Sequence, residues 1–315
     1  MRISGFSFVR NGQKLYYPVV ESIKSILPIC DQFVIAVGKG DADDTTREAI
    51  AAIGDPRVTI VDTIWEEAYF KKGIINAIQT DVAKAKCTGD WLFYLQADEV
   101  VHEEHLPTIK ARCQDLLERR EVEGLLFRYR HFWADYDHHQ NGHGWYSNEI
   151  RIIRNLPGIH SYESAQSFRH FQQYDNPRQK HGTRKLEVAG VDAEIFHYGW
   201  VRPPHLMQNK KRALDTVHWG KAKAAAYYNQ APDVFDYGPL DRLTRFTGTH
   251  PEVMKDRIRK MDWHHVLQQT GRPNPARTPH KHERFKYRFL TFLENHLVGG
   301  RQIFGFKNYI LLKDV

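Results

Sequence analysis

A chain of 315 residues, 41% hydrophobic and 12% aromatic, carries enough apolar material to bury a substantial core, which excludes disorder as its main state. No apolar run reaches the eighteen or so residues of a membrane span, and the opening MRISGFSFVRNGQ turns polar too soon for a secretory leader, so the expected location is the cytoplasm. The three cysteines, Cys30, Cys87 and Cys113, make no C-x-x-C pair, which excludes a thiolate zinc site, and the formal charge of +7 favours anionic partners: nucleotide phosphates, lipid headgroups or nucleic acid.

Residues 3–9, ISGFSFV, predict a first strand. In YYPVVESIKSIL, Val19, Val20, Ile23, Ile26 and Leu27 fall at helical spacing, Pro28 ends the helix, and FVIAV at 33–37 follows as a short buried strand. The pattern repeats. A helix over about 45–53 leads to VTIV at 58–61, and a helix over about 72–85, with Ile74, Ile75, Ile78 and Val82 at its spacing, leads to WLFYL at 91–95. Such alternation predicts an open, mostly parallel sheet with helices on both faces. Strands at 124–130, 149–154 and 193–199 come next, separated by loops rich in histidine, glycine and aromatics. From about residue 201 the chain turns basic and mainly helical, broken by APDVFDYGPL and TGRPNPARTPH, so an α/β unit over 1–200 and a helical extension over 201–315 are expected. In HERFKYRFLTFLENHL, Phe285, Phe289, Phe292, Leu293 and Leu297 share one stripe, with Lys281, Arg284 and Arg288 off it. This helix is expected to dock on the protein's own core, with a membrane surface or a single-stranded nucleic acid as the alternative partners.

Two stretches carry candidate chemistry. In YLQADEVVHEEH, at 94–105, a zinc-protease helix is excluded because His102 and His105 stand three apart rather than four. Asp98 lies just past the end of a buried strand, where open α/β sheets bind ligands and where a cation bridging a diphosphate needs carboxylate oxygens. Taken alone, such a carboxylate is more often a helix cap. VGKGDADDTT follows the strand at 33–37 on the same edge of the sheet, and its glycines permit close backbone approach to a ligand. It fits neither a phosphate loop, nor G-x-G-x-x-G, nor an EF-hand, and by itself reads as a solvated turn with Asp44 or Thr45 capping the next helix.

Taken in order, FVRNGQKL, FVIAVGKGDADDTT and CTGDWLFYLQADE resemble glycosyltransferase family 2, nucleotide-sugar-dependent enzymes of GT-A fold, some of which decorate bacterial surface polysaccharides. The resemblance covers residues 1–200 and implies an α/β, GT-A-like open mixed sheet followed by the helical extension. It implies donor-binding positions at Val9, Asn11, Gly38, Asp43, Gln96 and Ala97; Gly38 stands where the family has an Asp that helps hold the base, and Gln96 replaces the first Asp of the Asp-x-Asp metal motif, whose last position is Asp98. It further implies a divalent cation, Mn2+ or Mg2+, on Asp98 and His197, and a catalytic base at Glu163 in GIHSYESAQ. By themselves these read as a surface Glu and a half-buried core His. The implied activity is inverting transfer of a hexose from a nucleotide-diphosphate donor to a glycan or lipid-linked acceptor, in the cytoplasm or at the inner face of the cell membrane. Trp133, Tyr136, Trp145 and Tyr146 are expected to offer flat faces to the acceptor, and Lys14 and Lys39 to reach phosphates. The alternatives are a GT-A-like binding protein that has lost catalysis, for which Gln96 is the reason, and a basic nucleic-acid-binding protein.

Overall fold

Strands that carry apolar residues on both faces must be covered on both sides, and three of the first four strands are of that kind. In the computed structural model, which describes every residue except 141, 300, 301, 304, 306 and 314, β1 (Ile3–Val9), β2 (Gln32–Gly38), β3 (Val58–Thr63) and β4 (Trp91–Tyr94) pair in parallel in the order β3-β2-β1-β4. Side chains alternate across a strand. On β2, Phe33, Ile35 and Val37 therefore enter one core with Val19, Ile23 and Ile26 of α1 (Val19–Ile26) and Ile50 of α2 (Thr46–Ala51). Val34 and Ala36 enter the opposite core, with Ala83 of α3 (Ile74–Lys84).

The short strand β5 (Glu99–Val101) precedes α4 (Leu106–Asp115), which has Pro107 in its first turn, where its missing N–H costs nothing. His102 Nδ1 accepts the Glu104 N–H at 3.2 Å, so this histidine serves the approach to a helix. Then β6 (Gly124–Ala134), β7 (His138–Gln140), β8 (Asn148–Arg154), β9 (Ile159–Tyr162), β10 (Ser167–Phe171) and β11 (Thr183–Val201) continue the sheet in the order β4-β8-β6-β11-β10-β9. Here antiparallel pairs join the parallel β6–β11 pair. The expected open mixed α/β sheet with helices on both faces is thus present.

The rest of the chain is α5 (Pro204–Trp219), α6 (Lys221–Tyr228), β12 (Thr244–Arg245), α7 (Lys255–Arg259), α8 (Phe285–Leu297) and β13 (Tyr309–Leu311). Among the described residues no helix is long and apolar enough to cross a membrane. Phe235, Leu240, Met254 and Trp263 share a core with Phe132 and Tyr198, and β13 pairs with β11. Trp133 and Tyr136 belong to this core, at 2% and 3% exposure, so these two aromatics are packing and offer no face to an acceptor.

Burial pushes the Glu149 carboxyl on β8 up to about 7. A carboxyl raised on folding adds stability that is fully present below its unfolded value near 4.5 and is lost as the pH rises through 7. Glu149→Gln keeps the acceptor used by Gln166 Nε2 at 3.1 Å and never ionises. The variant is expected to gain up to about 3 kcal/mol at pH 8 and almost nothing at pH 4, which thermal melts at the two pH values will check.

Candidate active site

A cleft of about 850 Å³ opens beyond the C-terminal ends of β1 and β4, with α5 forming its far wall. Val9, Asn11, Gln96, Ala97, Asp98 and His197 all line it. Gly38 instead lines a neighbouring cavity of about 490 Å³ with Asp44 and Asp62. Asp43 is exposed and reaches the cleft wall only through Lys14, whose ammonium binds Asp41 at 2.8 Å and Asp43 at 2.7 Å. Glu163 does not itself line the cleft: its neighbours Ser164 and Gln166 do, while its own carboxylate lies 3.9 Å from Arg178. Of the expected acceptor aromatics Tyr146 lines the cleft, and Trp200 joins it from β11.

Asp98 is the centre of the floor. Its Oδ2 lies 3.7 Å from His197 Nε2 and 3.5 Å from Lys210 Nζ on α5. Burial alone would push this carboxyl up, but the imidazole of His197, the ammonium of Lys210 and the guanidinium of Arg202 outweigh it and hold Asp98 well below the usual carboxylate range. Lys210, also buried, is brought down to about 8, first by burial and then by Arg202, with Asp98 opposing. Arg202 is fully buried against the ring of Tyr17, donates to the carbonyls of Leu15 and Gly199 at 2.6 and 3.1 Å, and has no partner for its Nε among the described residues. Two buried cations and an imidazole therefore converge on one carboxylate. Buried charge is normally matched, so this floor is short of negative charge.

A hydrogen-bond chain orients His197. The register of β6 against β11 sets His131 beside His197. His131 Nε2 lies 2.8 Å from the Tyr146 carbonyl, which can only accept, so that nitrogen carries the proton. Burial holds the His131 pKa well below its ordinary value, which keeps the ring neutral and leaves Nδ1 as an acceptor. His197 Nδ1, 2.9 Å away, must then donate to it. With Nδ1 anchored in this way, His197 presents its Nε2 to Asp98 Oδ2 at 3.7 Å, the arrangement of a histidine whose far nitrogen is fixed by a hydrogen bond.

The turn before Asp98 is held from behind. Glu99 is completely buried, accepts from Arg151 at 2.7 and 2.8 Å, and also takes Tyr129 Oη–H and the Gln96 backbone N–H. The Gln96 side chain donates to the Ala165 carbonyl at 3.0 Å, in the tight β9–β10 turn where Glu163 and Ala165 take φ of 58° and 64°. Left-handed backbone costs roughly 1–2 kcal/mol at such residues, so the turn needs tethers. An aspartate at 96 could not donate there. At Gly38, a methyl group would come within 2.3 Å of Trp65 Nε1, so this indole fills the room a larger side chain would need. Trp65 lines the cleft, with the Arg10 guanidinium 5.9 Å from its ring centre.

No family model matches the chain, and no curated protein does. Among solved structures it is similar to S. aureus TarS, at 12% identity over 68% of this chain and 39% of that chain, with a TM-score of 0.41. It is similar also to S. aureus TarS 1–349 in complex with UDP (12% identity, 69% and 65% covered, TM-score 0.38). A third is glucosyl-3-phosphoglycerate synthase from Mycobacterium tuberculosis in complex with Mn2+, UDP and phosphoglyceric acid (17% identity, 41% and 43% covered, TM-score 0.30). The chain spans between 39% and 65% of the length of these structures.

Proposed function

We propose that the protein is a nucleotide-sugar-dependent glycosyltransferase of GT-A type that moves a hexose from a nucleoside-diphosphate donor to a hydroxyl of a glycan or lipid-linked acceptor. The observation that carries this reading is the excess of positive charge that Lys210 and Arg202 together place around the single carboxylate of Asp98 at the floor of the cleft. A pyrophosphate supplies the charge that the floor lacks. Gln96–Asp98 and the β1 end line the cleft together, at the position where open α/β sheets receive phosphates.

Among the described residues no three His, Cys, Asp or Glu side chains gather as a metal cluster. A Mn2+ or Mg2+ ion would have two protein ligands, Asp98 Oδ2 and His197 Nε2, and the remaining positions would be left to water and the donor. When bound, such an ion neutralises the leaving diphosphate as a Lewis acid. The chain's own groups do the rest. Lys210 donates to a phosphate oxygen from below, and Trp65, which lines the cleft, offers its ring to the base in place of the side chain absent at Gly38. Tyr146 and Trp200 flank the acceptor. Glu163, from the strained turn, takes the proton of the acceptor hydroxyl on the face opposite the leaving group, which gives inversion.

A thermal-shift panel of UDP, GDP, CDP and dTDP sugars, with and without Mn2+, tests the proposal. One metal-dependent stabilising donor is expected; silence across the panel would overturn it. Donor turnover then separates an enzyme from a binding protein. Glu163→Gln is expected to bind the donor normally and to lose transfer by roughly 10²- to 10⁴-fold, and near-normal turnover would place the base elsewhere.

A further inference from the structure

The helix α8 is mounted with its polar side inward. Glu294 accepts from His143 Nδ1 at 2.6 Å and from the Ile303 N–H at 2.7 Å, and Thr291 Oγ1 accepts the His143 N–H at 2.9 Å. The apolar stripe read from the sequence faces the opposite way. Phe285, Phe289 and Phe292 are 82%, 50% and 55% exposed, and Leu297 continues the exposed surface. Spacings of four and three put the three rings on one face, where Phe285 stacks on Phe289. The expectation that this stripe docks on the protein's own core is corrected: hydrogen bonds hold the helix down, and the phenylalanines are left outside.

The flanks of the stripe are basic. Lys286 lies on one side and Arg288 on the other, with Lys281 and Arg284 just before the first turn, and all four are exposed. A second copy seated on this face would bring these cations against its own, within a chain already at +7. An anionic bilayer meets both features at once: the rings enter the boundary between headgroups and acyl chains, and the ammonium and guanidinium groups remain among the phosphates. We propose that α8 is an interfacial helix that seats the protein on an anionic lipid surface through Phe285, Phe289 and Phe292.

The seat is connected to the cleft. His143, which α8 grips, belongs to the loop that ends in Tyr146, and Lys281 Nζ bonds the Gly144 carbonyl of the same loop at 3.1 Å. Tyr146 lines the cleft and anchors His131. Docking α8 thus brings the Tyr146 side of the cleft toward the lipid. The lipid contact itself does not depend on the transferase reading.

Co-sedimentation of the full chain with phosphatidylglycerol/phosphatidylcholine vesicles and with pure phosphatidylcholine vesicles tests the proposal. The expected result is binding to the anionic vesicles about tenfold or more above the neutral ones, weakened by salt. Phe285→Ser, Phe289→Ser and Phe292→Ser together should abolish it with an unchanged melting temperature, because the side chains touch solvent. Lys286→Glu with Arg288→Glu, which leaves the rings in place, should lower it at least tenfold. The proposal is overturned if the wild-type chain ignores anionic vesicles or binds neutral ones equally. It is overturned too if neither variant changes binding, or if the stripe proves to hold a dimer or a single-stranded oligonucleotide with no vesicle binding.

Discussion

Asp98→Asn is expected to remove metal-dependent nucleotide binding and to slow transfer by about a thousandfold or more. Asparagine keeps the shape of the side chain and withdraws the one negative charge facing His197, Lys210 and Arg202. Two consequences follow, with opposite signs. On the proposed reading a cation loses the carboxylate of the pair that would hold it, so the response to Mn2+ disappears. The cations of the floor, deprived of their internal counter-charge, now depend entirely on the ligand for it, so metal-free binding of a nucleoside diphosphate should persist or strengthen. Leaving buried charge unmatched costs about 3–5 kcal/mol in the unliganded protein, reduced to the extent that Lys210 releases its proton. Calorimetry with UDP in the presence and absence of Mn2+ reads both effects, and unchanged metal-dependent binding in Asp98→Asn would remove Asp98 from the site.

The first half of the fold was legible because β2 and β4 are short, nearly unbroken apolar runs bounded by helices of clear period. Other strands give no such signal. β5 and β7 have three residues each, and β11 begins with the half-polar TRKLE, so only its buried end reads as a strand. Asp98 was legible for the same reason as β4, since a carboxylate directly after a buried strand has few places to go. Lys210 and Arg202 were not: a lysine on an amphipathic helix looks solvated, and only the turn from β11 into α5 folds it under Asp98. His131 is one of several histidines in its stretch, and nothing but the β6–β11 register distinguishes it. The stripe of α8 shows the limit most plainly, because periodicity reveals that a helix has two faces and is silent about which one meets the protein. Glu294 and Thr291 decided that, through partners far away in sequence.

Glu99→Ala is expected to cause the largest loss of stability of any substitution around the cleft. The carboxylate it deletes is the sole acid bonded to Arg151 among the described residues, and that guanidinium is fully buried with its centre 5.3 Å from the ring of Tyr94 and 5.2 Å from that of Tyr129. Removing one partner of a buried pair costs about 3–5 kcal/mol because the other charge remains in place. At roughly 2–4 °C per kcal/mol for a chain of this size, the melting temperature should fall by about 10 °C. Stability alone would not show that Glu99 also shapes the site, so the informative companion is Glu99→Leu with Arg151→Met. Replacing both charges by apolar groups of similar volume is often neutral, and this pair should recover most of the melting temperature. Nucleotide binding should not return with it, because the Gln96 N–H has lost its acceptor and the turn that presents Asp98 is released from behind. If the double variant regains binding together with stability, Glu99 holds the fold and has no part in aiming Asp98.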